Sequence, residues 1–188
     1  MGQGDVSIER YFDAGPRATV DQEIEAVFLE AAGSRTFETD EARLAFRERW
    51  LMRYLTHFPG EAFVARVPGG SVIGYLTGCL DDPAKHALFA DIPYFADFAS
   101  LTGRFPAHLH INLTAGYRGG GIGRRLIEAF ASHAAERGAP GMHAVTADGV
   151  RNNGFYLDCG FKRAATTQWN GKLIAFFARR LSQPVAVG

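Results

Sequence analysis

Five glycines, Gly116, Gly119, Gly120, Gly121 and Gly123, fall within residues 116–123, with Arg118 among them and Arg124 directly after. Glycines at that density let a bound group approach backbone N–H groups with no Cβ in the way. The residues that follow read as an amphipathic helix: Ile122, Leu126, Ala129, Phe130 and His133 recur at spacings of three and four, with Arg124, Arg125, Glu128, Ser132 and Glu136 on the other faces. A glycine loop feeding a helix N-terminus presents unpartnered N–H groups that carry partial positive charge, which is the chemistry of holding an anion, phosphate above all. Arginines at that end oppose the helix dipole, so their placement favours an anion that offsets them.

Spacing separates the phosphate-binding patterns better than glycine count does. A P-loop needs Lys and then Ser or Thr after its last glycine, but Gly123 is followed by Arg124 and Arg125. The dinucleotide fingerprint GxGxxG, started at Gly119 or Gly121, would put its third glycine at Arg124 or Leu126, and no acidic residue ends a following strand. What remains is Arg118-x-x-Gly121-x-Gly123. Downstream, a short apolar strand at 142–146 leads into Asn153-Gly154-Phe155-Tyr156-Leu157-Asp158-Cys159-Gly160-Phe161.

Together, over about residues 107–162, these motifs resemble the GCN5-related N-acetyltransferase (GNAT) superfamily. Its acetyl-CoA signature is Arg or Gln, two residues, Gly, one residue, Gly or Ala; its later helix carries Phe-Tyr and ends in Gly-Phe. The resemblance implies an α/β fold whose mixed, mostly antiparallel central sheet has helices on both faces and splays where the pantetheine arm of acetyl-CoA pairs with main chain. Leu113 would bind through its backbone, Arg118, Gly119, Gly120, Gly121, Gly123 and Arg124 would hold the pyrophosphate, and Asn153 would complete the cofactor-binding set. The implied reaction is acetyl-CoA-dependent N-acetylation of a primary amine, on a small molecule or peptide, by direct attack in a ternary complex.

Two proton problems follow from that reaction. The leaving thiolate gains from a donor, and Tyr156 stands where the family has its general acid; a phenol near pKa 10 keeps its proton at neutral pH. The alternative is a tyrosine packed beneath the sheet with its hydroxyl bonded locally. An alkylammonium near pKa 10.4 must also lose a proton before attack. On the strand 108–113, His108, His110 and Asn112 share one face, and His110 is the candidate base, since an imidazole near pKa 6.5 is largely neutral at pH 7. A strand histidine satisfied within the core is the competing reading.

Two departures from the family bear on turnover. Related domains with the His-Leu-His-Ile run carry Asp where Asn112 stands, and the family's Asn seven residues ahead of the Tyr is Gly149, with Asp148, Asn152 and Asn153 close by. They keep a second reading open, a CoA-binding module without turnover that serves recognition or regulation. The stretch 81–106, followed by Pro-Ala-His-Leu-His-Ile, narrows the resemblance toward the acetyltransferase-like domain of O-GlcNAcase.

The elements that must position these residues are readable by period and punctuation. Strand 6–12 precedes a helix over 19–32 with Thr19 as N-cap, and Gly33 ends it. A second helix runs from Thr39 or Asp40 to about His57, stopped by Pro59-Gly60; a hairpin at 61–67 and 71–80 turns at Pro68-Gly69-Gly70. Residues 81–106 hold three prolines and aromatics without clear period, which fits an insertion that covers the acceptor site or contains short helices. Strand 107–113, the loop, its helix, strand 142–146, a helix at 153 and a closing hairpin about Asn170-Gly171 complete the order. Trp50, Tyr54, His57, Tyr94, Phe95 and Trp169 are candidates for the acceptor pocket.

At 188 residues, one domain is expected, 1–188, with loose ends at 1–4 and 182–188. Twenty Lys and Arg balance twenty Asp and Glu, which argues against broad attraction to nucleic acid or anionic membrane. Cys79 and Cys159 are isolated, and neither CxxC nor HExxH occurs, so two reduced thiols and no metal site are expected. With no leader-like start and no apolar run near eighteen residues, the expectation is a soluble cytoplasmic enzyme, compatible with a homodimer.

Overall fold

The computed structural model describes residues 6–33 and 36–182, so of the ends expected to be loose, 1–4 and all of 182–188 except Ser182 lie outside the described residues. The chain divides into two compact units. One holds the chain up to Gly78 together with 110–130; the other holds 79–109 and the chain from Ala131 on.

In the first unit, β1 (Ser7–Arg10) is shorter than the strand expected over 6–12, because Tyr11–Asp13 turns into a 3-10 helix. Helix α1 (Arg17–Ala32) starts from Pro16 and not from a Thr19 cap: the Pro16 carbonyl accepts from the N–H groups of Thr19 and Val20, and no side chain caps the end. Proline's fixed φ suits a helix start, which is the signal that outweighed the hydroxyl of Thr19. Val20, Ile24, Val27 and Phe28 of α1 share a core with Leu51, Leu55, Val64, Val72 and Tyr75. Each such side chain stabilises the fold by roughly 1.5–3 kcal/mol.

The single helix expected to end at about His57 is three segments. α2 (Asp40–Arg47) is capped by Thr39, whose hydroxyl accepts from the Ala42 N–H at 3.1 Å. A π-helical turn, Glu48–Met52, follows, and α3 (Arg53–His57) ends the run. A π turn inserts a residue into the α-helical period and re-aims the side chains around it. Here Leu51, Tyr54 and Leu55 are buried while Trp50 is half-buried.

Strands β2 (Phe63–Arg66) and β3 (Val72–Cys79) form the expected hairpin, closed by the Gly70 N–H on the Val67 carbonyl, and β1 pairs antiparallel with β2. The end of β4 (Ala107–Leu113) lies close to β3: a Cβ at Gly74 would stand 2.9 Å from Leu113 Cγ and 3.1 Å from the Asn112 carbonyl oxygen. Only glycine permits that approach. Helix α4 (Ile122–Glu136) begins in this unit, with Ile122, Leu126, Ile127 and Phe130 at most 1% exposed.

In the second unit, β5 (Gly141–Ala147) runs parallel to the start of β4, in the pairs Ala107–Met142 and His108–His143. After α5 (Asn152–Asp158), strands β6 (Lys162–Trp169) and β7 (Lys172–Arg180) make the closing hairpin, and β7 lies antiparallel along β5. Asn170 and Gly171 take φ of 48° and 71°, the two positive values that a two-residue hairpin turn of this twist needs. The stretch 81–106 contains short helical turns, Ala87–Phe89, Tyr94–Asp97 and Ala99–Thr102. Its Phe89, Ile92, Tyr94, Phe95 and Phe98 are at most 3% exposed, so the aromatics without period are core.

The seven strands form one mixed, mostly antiparallel sheet in the order β1-β2-β3-β4-β5-β7-β6, flanked by helices.

Candidate active site

The glycine loop is an exposed cradle of backbone. It opens with the 3-10 turn Ala115–Tyr117, whose first N–H, on Ala115, donates to Glu30 Oε1 at 2.6 Å. Gly119 and Gly121 have φ of 85° and 80°, a left-handed conformation that side chains disfavour, and a Cβ on either would meet nothing within 4 Å. The Arg125 N–H bonds the Gly121 carbonyl and closes the first turn of α4. The N–H groups of Ile122, Gly123 and Arg124 are therefore those a helix start cannot satisfy internally. Gly119, Gly120, Gly121 and Arg124 are exposed, and Gly123 is buried. Arg118 folds back, its Nε donating to the Leu113 carbonyl at 3.0 Å, which ties the loop to the end of β4.

The polar face of β4 divides along its length. His108 is 2% exposed in the second unit, with ring centroids of Phe89 at 4.7 Å, Phe95 at 5.4 Å and His143 at 5.6 Å. His110 belongs to the first unit and is half-buried; Tyr54 and Trp50 set their rings edge-on to it at 5.0 and 5.2 Å. Its Nε2 lies 2.9 Å from the Tyr54 hydroxyl. Burial, with the charge of Arg53 added, pushes the His110 imidazolium down to about 4. The ring is thus neutral at pH 7, and a weaker base than the free imidazole assumed from sequence.

Asn112 has a partner. Its Nδ2 donates to the hydroxyl of Tyr75 at 2.7 Å; burial pushes that phenol up, and the bond from Asn112 opposes the shift. An amide at 112 serves Tyr75, a residue that sequence reasoning did not single out. The pairing joins positions 37 apart on two strands, and nothing in the local pattern announces it.

Tyr156 stands on α5 in the second unit, 6% exposed, with the rings of Phe155, Phe161 and Phe177 at 5.4, 5.5 and 5.7 Å. Burial, then the nearby Cys159, push its phenol up, so it holds its proton at any physiological pH. On the same helix, both amide atoms of Asn153 are buried without a hydrogen-bond partner in the protein. An unspent donor and acceptor in one side chain is what a site for an amide-bearing ligand supplies, and the pantetheine arm carries two amides.

Of the residues singled out from sequence, Leu113, Arg118, the loop glycines, Arg124 and His110 share the first unit, while Tyr156 and Asn153 belong to the second. Trp50 and Tyr54 flank His110, and His57 is exposed at the end of α3. Tyr94 and Phe95 are core of the second unit, where Trp169 packs its ring 5.3 Å from Tyr94. Among the described residues, no helix is long and apolar enough to cross a membrane, and no group of three or more His, Cys, Asp and Glu is placed to hold a metal ion.

A mixed sheet with a glycine loop at a helix N-terminus has the chemistry to hold an anion. The sequence profile of the acetyltransferase (GNAT) family matches residues 26–161, and the chain belongs to that family of acetyltransferases, whose cosubstrate is acetyl-CoA. Solved structures agree on the fold. The protein designated SsHAT is 21% identical with a TM-score of 0.73, over 95% of this chain and all (100%) of that one. An N-acetyltransferase from Staphylococcus aureus Mu50 is 19% identical with a TM-score of 0.60, over 95% of this chain and 100% of that one. A chain of the NatC complex bound to Gag peptide and CoA is 14% identical with a TM-score of 0.62, over 95% and 99% of the two chains.

Proposed function

We propose that this chain transfers the acetyl group of acetyl-CoA to a primary amine, on a small molecule or peptide, by direct attack in a ternary complex. The observation that carries the reading is the open glycine loop at the start of α4, where Gly119 and Gly121 take positive φ and a Cβ would meet nothing within 4 Å. When bound, acetyl-CoA supplies an activated thioester. Arg124 and the loop backbone hold its pyrophosphate, with Arg118 steadying the end of β4, and Leu113 meets the pantetheine arm through main chain. In the second unit, Asn153 holds two buried amide atoms that an amide-bearing ligand would satisfy.

Tyr156 stabilises the departing sulfur. A thiol near pKa 8.5 is a stronger acid than this buried phenol, so Tyr156 acts by donating a hydrogen bond to the developing thiolate; the proton that the thiolate finally takes is the one the amine sheds on attack. His110 meets the acceptor. For Tyr156→Phe, turnover falls about a hundredfold, within the usual range for a lost hydrogen-bond donor to a developing anion, while CoA affinity changes less than about twofold. Steady-state thiol release and calorimetric CoA titration check this, and unchanged turnover removes Tyr156 from the chemistry.

The second reading, a CoA-binding module without turnover, is favoured by Asn112 standing as an amide bonded to Tyr75, where related domains hold a carboxylate. It predicts CoA binding with no thiol release for any amine.

A further inference from the structure

Residues 114–118, the root of the glycine loop, are pinned from three directions. The N–H and the hydroxyl of Thr114 both donate to the Ile73 carbonyl of β3, at 2.9 and 3.2 Å. Arg118 Nε donates to the Leu113 carbonyl at the end of β4. The remaining anchor comes from α1: Glu30 Oε1 accepts from the Ala115 N–H at 2.6 Å, the short distance of a bond to a charged acceptor. Its partners stand 85 positions apart, and of these anchors it is the one that ties the loop to an element outside the sheet.

Glu30 has a rigid platform and an unfavourable place. Val27 and Phe28, 2% and 4% exposed, hold the last turns of α1 in the core, and the Glu30 carbonyl accepts from the Gly33 N–H that ends the helix. An acid in the last turn opposes the helix dipole, and that turn carries no basic residue. A carboxylate beside a loop that binds an anion also repels the anion. Both effects act against an acid at this position, and the bond to Ala115 is the contact that offsets them.

The effect of that bond reaches the residues after the root. Within the root, the Tyr117 N–H meets the Thr114 carbonyl and the Arg118 N–H the Ala115 carbonyl, so fixing Ala115 fixes the whole turn. On the far side, Ile122 and Leu126 seat α4 in the core, at 1% and 0% exposed. Between these fixed ends stand Gly119, Gly120 and Gly121, all exposed, and glycine has the most conformational freedom to lose when it is ordered. A shorter free span loses less on binding, which raises affinity without any new contact.

We propose that Glu30 is a positioning residue of the cosubstrate loop: its carboxylate holds Ala115, and through it the 115–118 turn, in the form that receives the pyrophosphate of acetyl-CoA. Glu30 acts through Ala115 and not on the cosubstrate. This rests on the acetyltransferase reading, which gives the loop to the pyrophosphate.

Two variants separate position from charge. Glu30→Ala removes the charge and the acceptor, whereas Glu30→Gln removes the charge and keeps an amide oxygen for the Ala115 N–H. By calorimetry, CoA binds Glu30→Ala about tenfold more weakly, the lower end of what a hydrogen bond to a charged group is worth, and Glu30→Gln within about threefold of the wild type. Repulsion alone predicts the opposite, since loss of the negative charge would tighten CoA in both variants. Urea midpoints stay close to the wild type, because the side chain is exposed. A large fall in stability in both variants marks a residue of the fold and overturns the proposal. The second readout needs no ligand. In 1H–15N NMR spectra of the protein alone, the Ala115 amide proton lies downfield in the wild type and moves upfield in Glu30→Ala, where the Gly119 and Gly121 signals broaden as the loop samples more conformations. An Ala115 signal that Glu30→Ala leaves in place overturns the anchor. If the wild type binds CoA and Glu30→Ala binds it as tightly or more tightly, the proposal fails and the acetyltransferase reading stands. If the wild type binds no CoA while the NMR signature holds, that reading falls and takes the role of Glu30 in binding with it.

Discussion

His108 and His110 lie two residues apart on one strand, point to the same side by the strand period, and meet opposite surroundings. His108 is sealed among Phe89, Phe95 and His143, and His143 in turn stacks on Phe176 at 4.4 Å. His110 is half-buried, bonded to a phenol, and set in the unit that carries the glycine cradle. Two identical side chains in one alternation thus divide between a sealed aromatic core and a half-buried polar setting. What separates them is the neighbour each receives: an aromatic stretch, 81–106, for one and a π-interrupted helix for the other.

The comparison breaks first under a change at the sealed end. Phe176→Ala removes a fully buried ring from the stack and lowers stability by about 3–5 kcal/mol, measured by urea unfolding, while CoA affinity of the folded protein stays within about twofold. A comparable loss of CoA affinity would mean that the histidine stack serves the ligand after all. At the open end, the signature inverts. Gly121→Val places a β-branched side chain over the cradle at a positive φ; CoA binding weakens on the order of a hundredfold, about 2.7 kcal/mol, and backbone strain removes only about 1–2 kcal/mol of stability. Calorimetric CoA titration beside an unfolding curve separates the two effects, and unchanged affinity would refute the cradle.

A smaller effect sharpens the difference between the two rings by pH. His110 is depressed from 6.5 to about 4, so the folded state disfavours the imidazolium relative to the unfolded chain. The stability this contributes is complete above pH 6.5 and is lost as pH falls from there through 4, about 2 kcal/mol after discount for partial exposure. In His110→Gln that part of the decline disappears, read as the difference between the two unfolding-versus-pH curves. Identical curves would mean that His110 titrates normally.

Much of the fold was legible because its punctuation is local. Thr39 caps a helix, Gly33 ends one, and Asn170-Gly171 makes a hairpin turn, each through chemistry confined to a few residues. The glycine loop leading into a helix start was legible for the same reason. What was not legible depends on contacts distant in sequence or on a subtle shift of period. The π turn at Glu48–Met52 leaves the hydrophobic spacing nearly helical, so residues 39–57 read as one helix. Pro16 displaced Thr19 as the start of α1 because the backbone, and no side chain, satisfies that end. Alternation put His108, His110 and Asn112 on one face correctly, but it could not say that Phe89, Tyr54 and Tyr75 would meet them in turn. Depressed basicity at His110 follows from that packing, and no spacing rule contains it.

The central claim is acetyl transfer to an amine, and one measurement addresses it directly. The purified protein is incubated with acetyl-CoA and glycinamide, and free CoA thiol and N-acetylglycinamide are quantified together by mass spectrometry. Equal amounts of the two products, formed in repeated turnovers and absent in Gly121→Val, are the predicted result. Acetyl-CoA that binds but persists unchanged, here and across a panel of other amines, would contradict the account and leave the chain a CoA-binding module.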